Sequence, residues 1–186
     1  MNMSTQAAKT KSGNIQQTII LNLNDHQLSK TIIYDLLKKI ESADISLNTS
    51  YSLELPSPVS KKLIYNNAMS YKMIFNDYSS MLNDFSQVIE GFENSETIVL
   101  KVNHIFLRNA DYTSKGTIKV SLDGDKQLDK VKEELASIIK SDYRCQENYY
   151  DEQIEAFIYT LMLYCVEKCK ILINPNEMSN QNDFTG

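Results

Sequence analysis

Carboxylates that could bind a metal ion fall into two groups in this chain. The first comprises Asp123, Asp125 and Glu133-Glu134, and the second comprises Asp151, Glu152 and Glu155. Metal-dependent nucleases cluster such carboxylates around their cations. Here the first group surrounds an Asp-Gly turn and a solvated helix face, and the second has the composition of a helix N-terminus, where acids complement the helix dipole. The sequence therefore predicts no metal site, and an enzyme built on these carboxylates is the least favoured of three functional hypotheses.

The cysteines and histidines are also not spaced as a nucleophile with its base, or as a set of zinc ligands, would be. Cys165 and Cys169 lie four residues apart on the apolar side of a predicted helix, which is typical of small buried residues. His26 is expected at the start of a helix and His104 inside one, too far along the chain to complete a zinc site with the cysteines. The five glycines are scattered and form no phosphate-binding loop. We therefore expect no catalytic residue, no metal and no cofactor.

Bulk composition narrows the class of protein further. The net charge of −5 and the presence of only two arginines, Arg108 and Arg144, argue against a general nucleic-acid coat. Three cysteines without framework spacing favour reduced thiols. Residues 1–13 lack the apolar core of a secretion signal, and the apolar run 157–166 is about half of the roughly twenty residues that span a bilayer. We expect a cytoplasmic protein with no membrane contact.

Hydrophobic periodicity predicts a mainly α fold, a compact bundle of about six helices with a short β element near the N-terminus. Alternating residues over 14–24 predict one strand, after which Asn24 or Asp25 can cap the first helix. The segment 117–122 also alternates and is compatible with a second short strand. The predicted helices cover 27–43, a segment starting at Ser57-Pro58, 70–90, 95–109, 127–142 and 151–173.

These elements divide the chain into four parts. Residues 1–13 are predicted to be a disordered tail, 14–54 an arm with the strand and first helix, 55–175 the helical core domain, and 176–186 a flexible tail. The terminal helix is apolar in its middle but charged at its ends, so we expect it to be buried by protein. The side chains expected in the core are Ile74, Tyr78, Phe85, Phe106, Leu135, Phe157, Leu161 and Cys165.

Lysines and tyrosines supply a candidate contact surface. Basic pairs occur at Lys38-Lys39, Lys61-Lys62 and Lys168/Lys170, and several tyrosines lie near the middle pair. Such a surface can touch a nucleic-acid backbone, but tyrosine is also enriched at protein interfaces. The acidic balance of the whole chain favours the protein interface.

Three segments together resemble a known family. They are LPSPVSKKLIYNNAMS at 55–70, IEAFIYTLMLYCVEKCKILINP at 154–175 and SGNIQQTIILNLN at 12–24. They resemble the C-terminal domain of bacterial ABC-three-component antiphage systems, of which Lamassu systems are the best-known members, and the likeness covers roughly 55–175. In that family the domain commonly follows an effector such as a nuclease, which this chain lacks. The segment TSKGTIKVSLDGD also departs from the expected loop between helices.

The resemblance implies a stand-alone small subunit. On this reading the chain is a non-catalytic structural or adaptor subunit of an antiphage or anti-plasmid defence complex, docking with an SMC/Rad50-like ATPase and an effector nuclease, with DNA reached through the complex. The alternative is a small dimeric nucleic-acid-binding regulatory protein. Ordinary capping and solvation are an equally favoured role for the residues proposed to contact a partner, which are Lys61, Lys62, Tyr65, Asn66, Lys168 and Lys170.

Overall fold

The computed structural model describes residues 28–45, 58–168 and 170–175. The predicted N-terminal tail, the strand over 14–24, the proposed caps Asn24 and Asp25, and the C-terminal tail 176–186 all lie outside these residues.

The described residues confirm the mainly α class. In chain order the helices are α1 (Lys30–Ser42), α2 (Val59–Tyr65), α3 (Met69–Tyr78), α4 (Leu82–Glu90), α5 (Ser95–Arg108), α6 (Gly124–Lys140), α7 (Tyr143–Asn148) and α8 (Asp151–Glu167). A 3₁₀ turn, Ser79–Met81, joins α3 to α4, so the helix predicted over 70–90 is divided by one tighter turn.

Short polar side chains fix several helix starts. Ser29 caps α1 by accepting a hydrogen bond from the Ile32 N–H, and Asp123 caps α6 by accepting from the Lys126 N–H. Asp142 does the same for α7, where it accepts from the Arg144 N–H. Because Ser29 is the cap of α1, this helix begins at Lys30, and the predicted start at residue 27 was too early.

The short strand predicted over 117–122 is wrong. A single antiparallel bridge joins Tyr112 to Ile118, and within the described residues it does not extend into a strand. Thr113 donates its N–H to the Thr117 carbonyl at 2.8 Å, which closes the loop tightly. Gly116 supplies the positive φ of 77° at its tip. One further backbone hydrogen bond, from the Lys119 N–H to the Asp111 carbonyl at 2.9 Å, joins the two sides of this loop.

The terminal helix ends earlier than predicted, at Glu167 rather than at 173. The Lys170 N–H donates to the Cys165 carbonyl at 2.8 Å, and Leu172 adopts a positive φ of 66°. Ile171 and Leu172 remain fully buried although they are not helical. The sequence stays apolar beyond the end of the helix because the residues that follow it turn back and are buried in the core.

Helix α8 forms the centre of the domain. Every side chain from Gln153 to Val166 except Glu155 is buried, and the helix packs against α3, α4, α5 and α6. A helix that is apolar on all sides is covered by protein on all sides, as predicted. The core residues that the sequence placed correctly are Phe85, Phe106, Leu135, Phe157, Leu161 and Cys165.

The residues that α3 buries most deeply differ from the ones predicted, although all four lie on one side of the helix. Ile74 and Tyr78 are only half-buried, whereas Tyr71 and Phe75 are 1% and 2% exposed. The Tyr71 ring packs on Tyr159 of α8 with centroids 6.0 Å apart, while Ile74 and Tyr78 pack against the same core and keep part of their surface exposed.

Helix α6 begins against the turn that joins α2 to α3. The Gly124 N–H donates to the Asn67 carbonyl at 3.1 Å, and a Cβ atom at position 124 would lie 2.0 Å from the Asn66 carbonyl oxygen. The Asp125 carboxylate accepts from the Tyr71 N–H at 3.2 Å, near the start of α3. Only glycine allows this approach, which holds the first turns of α3 and α6 together.

No helix in the described part of the chain is long and apolar enough to cross a membrane.

Candidate docking site

Three of the four carboxylates of the first acidic group serve as caps or in ion pairs. Asp123 pairs with Lys126 at 2.8 Å and Asp125 accepts from the start of α3, while Glu134 pairs with Arg108. Over the described ranges, no three His, Cys, Asp or Glu side chains are placed to hold a metal ion together. These acids therefore stabilise helix ends and helix contacts.

The second acidic group joins α8 to α6. Asp151 pairs with Lys140 at 2.6 Å, and Glu155 accepts from Lys132 Nζ at 2.7 Å. Lys132 Nζ also donates to the Tyr159 hydroxyl at 2.8 Å. Burial lowers the pKa of Lys132, but the hydrogen bonds to Glu155 and Tyr159 outweigh burial and the net shift is upward. Lys132 is therefore a charged link between two helices and not a candidate base.

Tyrosines near this link also remain protonated. Burial, reinforced by a 2.9 Å hydrogen bond from its hydroxyl to Asp129, raises the pKa of Tyr71 far above its ordinary value. Burial likewise raises the pKa of the half-buried Tyr78. A tyrosine activated for proton transfer would need a lowered pKa. The cluster thus has the chemistry of a structural contact.

The cysteine thiols that the structure describes are poor nucleophiles. Cys145 and Cys165 are 1% and 0% exposed, and burial raises the pKa of each thiol. The reactive species is the thiolate, which these surroundings disfavour. Cys165 therefore has the packing role that the sequence predicted for it.

The six predicted contact residues divide into buried and accessible ones. Lys61 and Lys168 are exposed and Tyr65 and Lys170 half-buried, whereas Lys62 is 0% and Asn66 2% exposed. Lys168 Nζ donates to Glu90 at 3.1 Å and lies over the Tyr164 ring. Lys62 and Asn66 are therefore inaccessible in this conformation, and the accessible members of the predicted set are Lys61, Tyr65, Lys168 and Lys170.

Lys62 and Asn66 instead hold the end of the chain against α2. Lys62 Nζ donates to the Val166 carbonyl at 2.8 Å, near the C-terminus of α8. The Asn66 side chain donates to the Ile173 carbonyl at 2.8 Å and accepts from the Ile173 N–H at 3.0 Å. Cations suit the negative end of a helix, and the amide satisfies both polar groups of a buried, non-helical residue.

The segments 55–70 and 154–175 are therefore in direct contact through Lys62 and Asn66. The two segments can therefore occur together in the sequence because residues of the first hold the second in the folded domain. A signal in the sequence could have revealed it, because Val59, Lys62, Leu63 and Asn66 follow the i, i+3, i+4, i+7 spacing of a buried helix face.

An apolar groove lies between α2, α3, the start of α4 and the C-terminal half of α8. Its volume is about 800 Å³. Met69 and Met73 line it from α3 with 53% and 74% of their surfaces exposed, and are among the most exposed apolar side chains described. The buried side chains that line it are Leu63, Phe75 and Leu163, and its charged side chains are Lys72, Asp77 and Glu167.

The sequence analysis did not predict this groove because it considered only lysines, tyrosines and an asparagine as contact residues and left Met69 and Met73 out. Met69 and Met73 are one helical turn apart, so they project on the same side of α3. The predicted core residues Ile74 and Tyr78 lie on the other side of the helix, so the methionine pair could have been recognised as exposed.

A second depression, of about 680 Å³, lies between α1, α5, α6 and α7 and is largely polar. Its cations already have partners in the structure, since Lys39 pairs with Asp142 and Arg108 with Glu134. An incoming anion would have to displace these carboxylates, so the methionine-lined groove is the better candidate site.

Comparison of the chain with protein-family models, with characterised proteins and with solved structures found no match.

Proposed function

We propose that this protein is a non-catalytic adaptor subunit that works by docking to other proteins. The observation that carries this proposal is the open groove with Met69 and Met73 at its surface. Methionine side chains are flexible and polarisable, and they are frequent at surfaces that bind protein segments. The described cysteines are buried, and the described candidate acids such as Asp123, Asp125 and Glu155 are engaged in caps and helix contacts, which favours a binding role over a chemical one.

The finer form of the proposal is an adaptor in a bacterial antiphage or anti-plasmid defence complex. It would act in the cytoplasm beside an SMC/Rad50-like ATPase and an effector nuclease. The likeness of 55–70 and 154–175 to the Lamassu-type C-terminal domain supports this reading. Lys62 and Asn66, which join these two segments, would then preserve the domain's fold, and its accessible surface would supply the contacts.

Co-purification tests the proposal directly. The full chain, carrying an affinity tag, is expressed with its neighbouring genes and isolated at moderate salt. We expect an ATPase and an effector to be retained together with it, as identified by mass spectrometry. Recovery of the tagged chain without either protein would contradict the adaptor function.

The alternative, a nucleic-acid-binding regulator, relies on a lysine and tyrosine surface near Lys61-Lys62. That surface is smaller than the sequence suggested, because Lys62 and Tyr71 are buried and Tyr78 is half-buried. Lys61 alone remains as an exposed cation of the pair. A DNA contact by this route would show strong salt dependence in gel shifts.

A further inference from the structure

We propose that the methionine-lined groove binds a basic amphipathic α-helix of a partner protein. This inference rests on the adaptor function proposed above and specifies the kind of segment that the adaptor receives.

The chemistry of the groove favours a helix over an extended peptide. A bound strand would bring unpaired N–H and C=O groups against an apolar surface, where leaving them unsatisfied is costly. The groove is formed by helices, and among the described residues no sheet edge is present with which a strand could pair. A helix satisfies its own backbone hydrogen bonds and presents only side chains to the groove.

The dimensions fit a short helical segment. Helix α3 forms one wall and has 10 residues, so it extends for about 15 Å at 1.5 Å per residue. A partner helix of about three turns would match that length, with apolar residues at i, i+3 or i+4, and i+7. Met69 and Met73 lie along this wall and would cover the apolar stripe of the incoming helix.

The charges around the groove indicate whether the helix that binds there is basic or acidic. One cation, Lys72, and two acids, Asp77 and Glu167, line the groove, and the whole chain has a net charge of −5. A helix with lysine or arginine beside its apolar stripe is therefore favoured over an acidic one. Charges at the edge of an interface contribute more to association rate and selectivity than to affinity.

A designed peptide tests this proposal on the full-length chain. The probe has about 18 residues, long enough to form a helix, with leucine at helical spacing and lysine elsewhere. Two control peptides have the same length: one has the same composition with shuffled spacing, and one has glutamate in place of lysine. Calorimetry should show that each control binds at least about tenfold more weakly than the probe.

The variant Met73→Asp separates apolar docking from charge attraction. It makes the protein more acidic, so a merely electrostatic contact with the basic probe would strengthen. We expect instead a loss of at least about tenfold in affinity, because a carboxylate would face the apolar stripe. The matched control is Leu122→Asp, at a side chain that is 94% exposed and outside the groove, and it should leave binding within about twofold.

Several outcomes would overturn the proposal. They are equal binding of the probe and the shuffled peptide, equal or tighter binding by Met73→Asp, and no binding at all. Displacement of the probe by a peptide covering residues 14–24 would assign the groove to the chain itself. Concentration-dependent self-association that Met73→Asp abolishes would assign it to a second copy.

Failure of the groove proposal is distinguishable from failure of the adaptor function. If the tagged Met73→Asp chain retains the same partners as the wild-type chain, the adaptor function stands and the groove is not the docking site. If the wild-type chain retains no partner, the adaptor function fails whatever the peptides do.

Discussion

At the scale of single residues, two buried polar side chains hold the segment that follows α8 against the core. Asn66 is 2% exposed and uses both atoms of its amide on the backbone of Ile173, while Lys62 reaches the Val166 carbonyl. The spacing of Asn66 in α2 predicts a buried position, but its residue type predicts an exposed one. Position prevails here because a non-helical segment needs the hydrogen bonds that only a polar side chain supplies.

Replacing Asn66 should therefore cost far more than replacing an exposed asparagine. Asn66→Ala leaves the N–H and C=O of Ile173 without their buried partners, and each unsatisfied group costs about 1–3 kcal/mol. We expect the free energy of unfolding, measured with urea, to fall by about 2–4 kcal/mol. The matched control is Asn76→Ala on the exposed side of α3, which should change it by less than about 0.5 kcal/mol. Equal losses would contradict the role assigned to Asn66.

Ionisation of Tyr149 is expected to lower the free energy of unfolding at alkaline pH. Burial and a 2.9 Å hydrogen bond from its hydroxyl to Asp35 raise the pKa of Tyr149 from 10.0 to about 12. Below pH 10 the hydroxyl is protonated in both states, so its contribution to stability is fully present. Between pH 10 and about 12 the unfolded chain loses this proton more readily than the folded one, and stability falls as the pH rises.

The variant Tyr149→Phe isolates this effect. Urea unfolding of both proteins between pH 8 and pH 11.5 should show a shallower alkaline decline for Tyr149→Phe, since the titrating group is gone. Tyr71 still contributes in the variant, because its pKa is also raised by burial. Parallel declines in the two proteins would show that Tyr149 does not ionise differently in the folded state.

At the scale of elements, periodicity located the long helices but not all of their ends. The predicted ranges 95–109 and 127–142 lie close to Ser95–Arg108 and Gly124–Lys140, whereas the range 70–90 is interrupted by a 3₁₀ turn and the range 151–173 ends at Glu167. Helix α3 has apolar or aromatic residues on both sides, Tyr71 and Phe75 on one and Met73 on another. The pattern identified the side of α3 that packs on the core, but it could not show that Met73, on the opposite side, lines a groove.

The orientation of α3 predicts a difference between adjacent substitutions. Phe75 is 2% exposed, so Phe75→Ala should lower the free energy of unfolding by about 3–5 kcal/mol. Ile74 is half-buried, and Ile74→Ala should lower it by no more than about 2 kcal/mol, near the lower limit for such truncations. Chemical denaturation of the two variants at one temperature gives the comparison. A larger loss for Ile74→Ala would contradict the deeper burial of Phe75.

At the scale of the whole molecule, α8 joins parts of the domain that are distant in sequence. It packs against α3, α4, α5 and α6, and its end is held by α2 through Lys62. Exposing the middle of α8 therefore requires all of these helices to separate. In contrast, α7 is a six-residue helix that packs chiefly on α6. Such a peripheral element can open without the rest of the domain.

Cys165 and Cys145 report on these two kinds of opening. Cys165 is 0% exposed in α8, and Cys145 is 1% exposed in α7. In a Cys145→Ser, Cys169→Ser background, a thiol reagent should label Cys165 at a rate that falls with global stability, because the thiol is reached only after unfolding. In the Cys165→Ser, Cys169→Ser background, Cys145 should react faster through local opening of α7.

Because the two backgrounds differ in stability, each rate is compared with the unfolding free energy of the same variant. Labelling of Cys165 that is fast and independent of that free energy would show that α8 is accessible in the folded protein and is not the centre of one cooperative unit.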